Sequence, residues 1–119
     1  MKGYEYLKNY LKEEGYRFDE EETIISFQYE GTTFIAFKKD SSLLTILVVC
    51  NANGKSRSYL LEKCNEFNDN YYVIKFAVHD NKVWCTYEFE PSEHTTSYNF
   101  AFYLMSLDKA TDEFLQEIS

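Results

Sequence analysis

The chain has 119 residues, of which 45% are apolar and 18% aromatic, and it carries a net charge of −8. A single domain of this size buries roughly two-thirds of its unfolded surface, so the 11 Tyr and 10 Phe belong in a core or an interface. The acidity argues against nucleic acid, which needs a basic patch, and against anionic membranes.

With 4 Gly and 1 Pro the composition gives little sign of disorder or flexible linkers. Residues 1–5 lead into charged, helical sequence, so no signal peptide is expected. The longest apolar run, residues 43–50, is broken by Thr45 and is too short to cross a bilayer as a helix. Cys50, Cys64 and Cys85 are widely spaced, odd in number and form no CxxC pair. Neither a zinc site nor a disulfide framework is indicated, and a reducing, cytoplasmic compartment with mostly buried thiols is expected.

Residues 3–14 read as a first helix, with Tyr4, Leu7 and Leu11 on one face. Gly15 is placed to end it in the left-handed C′ position, with Tyr16 packing back. Asp19-Glu20-Glu21-Glu22 reads as a solvated turn; a calcium loop needs alternating oxygen ligands around a central Gly, and they are missing. Residues 23–30 alternate as a strand, with Ile25, Phe27 and Tyr29 on one face. Glu30-Gly31 signals a tight turn, and residues 32–38 return as a second strand. Asp40-Ser41-Ser42 marks the next turn. Residues 43–51 form a third strand, apolar on both faces: Leu44, Ile46 and Val48 on one, Leu43, Leu47 and Val49 on the other. Such a strand should be covered on both sides, by helices on one and by a partner on the other.

A second helix begins near Ser56, with Leu60, Leu61, Cys64 and Phe67 as its apolar stripe. A hairpin over residues 72–90 follows, turning at Asp80-Asn81, a type I′ signal. That turn sets Val78 against Val83, Phe76 against Cys85, Ile74 against Tyr87 and Tyr72 against Phe89. The other face sets Val73, Lys75, Ala77 and His79 against Lys82, Trp84, Thr86 and Glu88. Pro91-Ser92 ends the hairpin. Residues 95–118 form the last helix, with Phe100, Leu104, Leu107, Thr111, Phe114 and Ile118 down one side. Tyr98, Phe102 and Met105 add apolar surface elsewhere on its first half. Segregated helices and strands predict a two-layer α+β domain spanning residues 1–119, α-β(3)-α-β(2)-α. Its five-stranded antiparallel sheet would have helices on one face.

No motif carries chemistry. Gly54-Lys55-Ser56 looks like the tail of a P-loop, but the Gly needed five positions before Gly54 is Val49. The segment reads as a turn and helix N-cap. The hairpin register points Cys85 into the apolar face and His79 to the other, which separates the best nucleophile and base. His94 falls in the loop before the last helix. Asn65, Asn68, Lys75 and Glu88 form a candidate polar cluster where the second helix meets the hairpin, although Asn at a helix end is commonly a cap or turn former. Trp84 reads either as a half-buried ring packed over Lys stems or as an interface anchor.

The run Leu60-Leu61-Glu62-Lys63-Cys64-Asn65-Glu66-Phe67-Asn68 resembles a segment of the YbjN-type family of putative bacterial sensory transduction regulators. There a helix with a Leu-Leu start and an Asn-x-x-Asn end leads into a two-strand hairpin. Here the hairpin opens Tyr71-Tyr72-Val73-Ile74-Lys75-Phe76 and contains Trp84. Asp112-Glu113-Phe114-Leu115-Gln116-Glu117 looks like the family's closing helix. Residues 7–16 and 25–31 look like its opening helix and first strand. The resemblance implies the fold of type III secretion chaperones, small acidic cytoplasmic proteins that often dimerise and hold partner polypeptides. It carries over no functional residues.

The expectation is a non-enzymatic protein-binding module, chaperone-like or regulatory, engaging another polypeptide or itself. Its contact surface would be the open sheet face: Trp84, Lys75, Ala77, Thr86, Leu47 and Val49. The alternative is a small-molecule binder or small enzyme with a pocket between helix and sheet. No catalytic residue, cofactor or metal is expected.

Overall fold

The computed structural model describes residues 3–38, 43–92 and 94–119; the turn expected at Asp40-Ser41-Ser42 lies outside them. The elements run α1 (Gly3–Glu13), β1 (Phe18–Glu21), β2 (Ile24–Tyr29), β3 (Thr32–Lys38), β4 (Leu44–Asn51), α2 (Arg57–Asn70), β5 (Ile74–His79), β6 (Lys82–Phe89) and α3 (Ser97–Ile118). The strands make one sheet in the order β1-β2-β3-β4-β6-β5, with antiparallel neighbours throughout.

The α+β class and the three helices are as expected, but the sheet has six strands rather than five. The additional strand is β1, which contains most of the acidic run read as a solvated turn. Acidic residues have low strand propensity and gave no apolar alternation to detect. The segment nevertheless pairs with β2, Phe18 opposite Phe27 and Glu20 opposite Ile25. Phe18 packs against the core. Glu20, on the same face, accepts a 2.7 Å bond from the Tyr4 hydroxyl and a 3.1 Å ion pair from Lys8 Nζ, both on α1. A short, charged strand is also a poor template for edge-to-edge association.

Local signals placed most boundaries. Tyr16 N–H donates to the Leu11 carbonyl at 2.9 Å and Gly15 N–H to that of Lys12 at 3.2 Å, with Gly15 at φ +79°. This is the Schellman closure expected at α1. Ser56 caps α2, its hydroxyl accepting from Tyr59 N–H at 3.2 Å. Thr96 and Asn99 form a capping box at α3. Glu30 and Gly31 both take positive φ, as a tight hairpin turn between twisted strands requires.

The β5–β6 hairpin has the expected register over Val78–Val83, Phe76–Cys85 and Ile74–Tyr87. Two details differ. Only Asp80 of the turn pair has positive φ, at 56°, so the turn is not type I′. The apolar ladder also stops at Ile74: Tyr72 is 98% exposed and does not face Phe89. Its neighbour Tyr71 is captured instead, stacking on Phe67, packing on Phe76 and donating its hydroxyl to Glu113. That anchor bends the chain between helix and strand.

All three helices pack on the face carrying Ile25, Phe27, Phe34, Ala36, Leu44, Ile46, Val48, Phe76, Val83 and Cys85. Aromatic contacts tie the layers together. Tyr10 of α1 stacks on Phe100 of α3 at 5.1 Å, and Phe114 of α3 lies 5.1 Å from Phe67 of α2 and 5.3 Å from Phe76 of β5.

Two outcomes test this reading of the sheet edges. Tyr4 and Lys8 hold the Glu20 carboxyl below its ordinary value of 4.5, while burial and the Glu20 bond push the Tyr4 hydroxyl up to about 12. The lowered value makes Glu20's contribution present above its ordinary pKa and lost as pH falls through the folded one. Glu20→Gln should therefore be less stable than the parent at pH 7 in urea melts, with the gap closing at acid pH. A gap independent of pH would refute the assignment. At the opposite edge, Asn68 Oδ1 accepts from Phe76 N–H at 2.8 Å and Nδ2 donates to Phe76 C=O at 3.0 Å. Asn68→Ala should cost about 1 kcal/mol and accelerate amide exchange at Phe76; unchanged exchange there would count against it.

Candidate protein-contact surface on the open sheet face

Strand alternation turns one set of side chains away from the helices. Across the sheet, one row runs Ser26–Ile35–Leu47–Thr86–Lys75, and the next runs Ile24–Phe37–Thr45–Glu88. A third joins Val49, Trp84 and Ala77. Polar residues would be expected on a face turned to water. This one carries Ile24, Ile35, Phe37, Val49 and Trp84, with Ile24 48% and Val49 38% exposed.

Trp84 is half-buried. The His79 ring stacks on it at 3.9 Å with the planes 22° apart, a diagonal cross-strand contact on the same face. A depression of about 320 Å³ lies here, lined by Phe37, Thr45, Ala77, His79, Trp84 and Thr86 together with Lys75 and Glu88. Lys75 reaches Glu88 at 3.6 Å, and Thr45 Oγ1 donates to the other carboxylate oxygen at 2.9 Å. The polar groups of this face are thus largely turned toward one another.

The six residues expected as a contact surface do share this face, but not equally. Trp84, Ala77, Lys75, Thr86 and Val49 are at least partly accessible. Leu47 is 3% exposed and belongs beneath the surface. Its central strand places it under large neighbours, which no reading of one strand reveals. Conversely, Phe37 and Ile35 join the surface from β3, a strand whose outer face the sequence left unassigned.

The suspected polar cluster is divided. Lys75 and Glu88 stand on the open face. Asn65 and Asn68 line a groove of about 670 Å³ between α2 and β5, with Leu61, Cys64 and Phe76. Lys75 and Phe76 are adjacent, so the pleat sends them to opposite faces. Within the groove, both ends of the Asn68 amide are engaged by the Phe76 backbone.

The thiols offer no nucleophile. Cys50, Cys64 and Cys85 are all buried and unbridged, and Cys50 and Cys85 lie in sulfur contact at 3.6 Å. Burial pushes Cys64 up to about 11. The contact with Cys50, together with burial, pushes Cys85 up as well. The same contact lowers Cys50, but its sulfur is buried against Cys85 in the apolar core, out of reach of a substrate. His79 is committed to Trp84 on the far face, as the register required. Among the described residues no group of His, Cys, Asp and Glu could hold a metal ion. No helix among them is long and apolar enough to cross a membrane. The Gly54-Lys55-Ser56 segment is a turn and cap, with Asn53 and Gly54 at positive φ.

Comparisons with known proteins place this fold. An uncharacterized protein from Methanothermobacter thermautotrophicus superposes with a TM-score of 0.70 at 13% identity, covering 96% of this chain and 94% of the other. YbjN from E. coli, described as a putative transcription regulator, gives 0.69 at 13% identity over 97% and 90%. The Yersinia pestis type III secretion chaperone SycH, solved in complex with a fragment of YscM2, gives 0.66 at 18% identity over 92% and 97%. At these identities the likeness concerns the fold alone. No curated protein sequence matches. The profile of the YbjN family, described as "Putative bacterial sensory transduction regulator", matches residues 4–118, and the chain belongs to that family.

Proposed function

We propose that this protein is a non-enzymatic binding module, regulatory or chaperone-like, whose open sheet face engages another polypeptide or a second copy of the chain. The observation that carries the reading is the band Ile24, Ile35, Phe37, Val49 and Trp84 on a face packed by none of the three helices. Apolar area of this kind on a soluble domain marks an interaction surface. Trp84 is suited to anchor it, since a half-buried indole ordered by a stacked His79 has little conformational freedom left to lose on binding. A structural neighbour solved with a bound protein fragment supports the same use of the fold. The module acts as one domain over residues 1–119, in a cytoplasmic setting consistent with its unbridged cysteines.

The second reading, a small-molecule binder or small enzyme, is favoured only by the groove between α2 and β5. Its polar lining is depleted by the Asn68–Phe76 pairing, which leaves few groups to orient a ligand.

Val49→Ser with Trp84→Ala should leave the helical circular dichroism unchanged and weaken association about tenfold or more. Light scattering across protein concentration reads self-association. Parallel affinity captures with parent and variant read a heterologous partner. A parent that stays strictly monomeric, together with captures identical for parent and variant, would rule the surface out.

A further inference from the structure

A second apolar surface lies on the helical side of the molecule, away from the open sheet face. In α3, Phe100, Leu104, Leu107, Phe114 and Ile118 face the core. The opposite side of an amphipathic helix should be polar. The first half of α3 departs from this. Tyr98 is 77%, Phe102 47% and Met105 54% exposed, at the i, i+4, i+7 spacing of one stripe. With Ala101 and Tyr29 of β2 they line a depression of about 240 Å³. The face becomes polar only beyond Met105, where Asp108, Lys109, Asp112 and Gln116 take over.

Charge is distributed unevenly around this patch. Asp108 and Asp112 follow it on α3, and Glu30 lies across from Asp108 in the β2–β3 turn. Among the described residues none of the three carboxylates is in an ion pair, and Lys109, on the same face, bridges to none of them within 4.0 Å. Partial burial, then Asp112 and Glu30, hold the Asp108 carboxyl above its ordinary value of 3.8. Asp108 therefore meets two like charges, Asp112 and Glu30, with no cation among the described residues within 4.0 Å, and a cation brought beside them would relieve the repulsion.

We propose that the outer surface of α3 docks a cationic amphipathic segment of a partner protein, its apolar side chains on Tyr98, Phe102 and Met105 and its Lys or Arg side chains on Asp108, Asp112 and Glu30. The charge pattern selects this occupant. A second copy would bring another chain of net charge −8 to the same place. An uncharged apolar segment would leave the carboxylate repulsion in place. Short amphipathic helices recognised through i, i+4, i+7 anchors are an established way of filling such a surface. The site is separate from Trp84 and does not depend on the sheet-face reading.

The test uses the full chain and a fluorescein-labelled 14-residue Leu/Lys amphipathic peptide, with its Leu/Glu counterpart as control, followed by anisotropy. The Leu/Lys peptide should bind saturably, the Leu/Glu peptide should not, and added salt should weaken binding. Phe102→Gln with Met105→Gln, and separately Asp108→Asn with Asp112→Asn, should each reduce affinity about tenfold. Val73→Ser, at an exposed apolar position elsewhere, should leave it unchanged. The affected positions are exposed or partly so, and the carboxamide pair removes charge without removing volume, so at least one variant reports on a folded protein. Equal binding by parent and both double variants, or equal binding of the two peptides, would overturn the proposal. So would a concentration-dependent dimer abolished by Phe102→Gln with Met105→Gln, which would make a second copy the occupant.

Discussion

Strand β4 is the constraint on which the rest of the structure depends. It lies between β3 and β6, so it joins the β1–β2–β3 meander to the β5–β6 hairpin. Eight of its residues pair with β6, from Leu44–Phe89 to Asn51–Lys82. One face supplies Leu44, Ile46, Val48 and Cys50 to the helical core, while the other buries Thr45 and Leu47. A strand largely apolar on both faces lacks the alternation that fixes register, so apart from the Thr45–Glu88 bond its own side chains oppose slippage weakly. The register is instead held by its two neighbours, each of which belongs to a hairpin with a tight turn.

The helices are fixed to this sheet by aromatic side chains. Phe67, Phe76 and Phe114 meet where α2, β5 and α3 converge. Tyr10, Phe100, Phe89, Tyr103 and Tyr87 form a second chain of contacts between α1, α3 and β6. Large flat rings bury much area with few rotatable bonds, which suits a domain too small for a deep core. The same composition leaves a surplus: Trp84 and Phe37 on the open sheet face, and Tyr98 and Phe102 outside α3. The two candidate binding surfaces are thus products of one aromatic-rich sequence laid over a two-layer fold.

A fold shared with a secretion chaperone at 18% identity says where surfaces can exist rather than what they bind. Asn68 closes one edge of the sheet by pairing with Phe76, and acidic β1 closes the other. Both edges are thus poor templates for strand addition.

The sequence by itself determined the features that depend on short spacing. Gly15 ended α1, Ser56 started α2, and two-residue alternation separated the core ladder of β5–β6 from the Trp84 face, which placed Cys85 and His79 on opposite sides. Those signals act within a few residues and survive in any tertiary context. Only the tertiary structure decided the rest. The acidic residues 19–21 became a strand because β2 offered an edge and α1 offered Tyr4 and Lys8 to Glu20. Tyr72 left the hairpin because Tyr71 was captured by Phe67 and Glu113. Leu47 was withdrawn from the contact surface because rows from three strands close over it. Each of these outcomes needs at least one partner from another element, such as Tyr4 for Glu20, Glu113 for Tyr71 or Thr86 for Leu47, and the energy of a contact is not written at either of its ends alone.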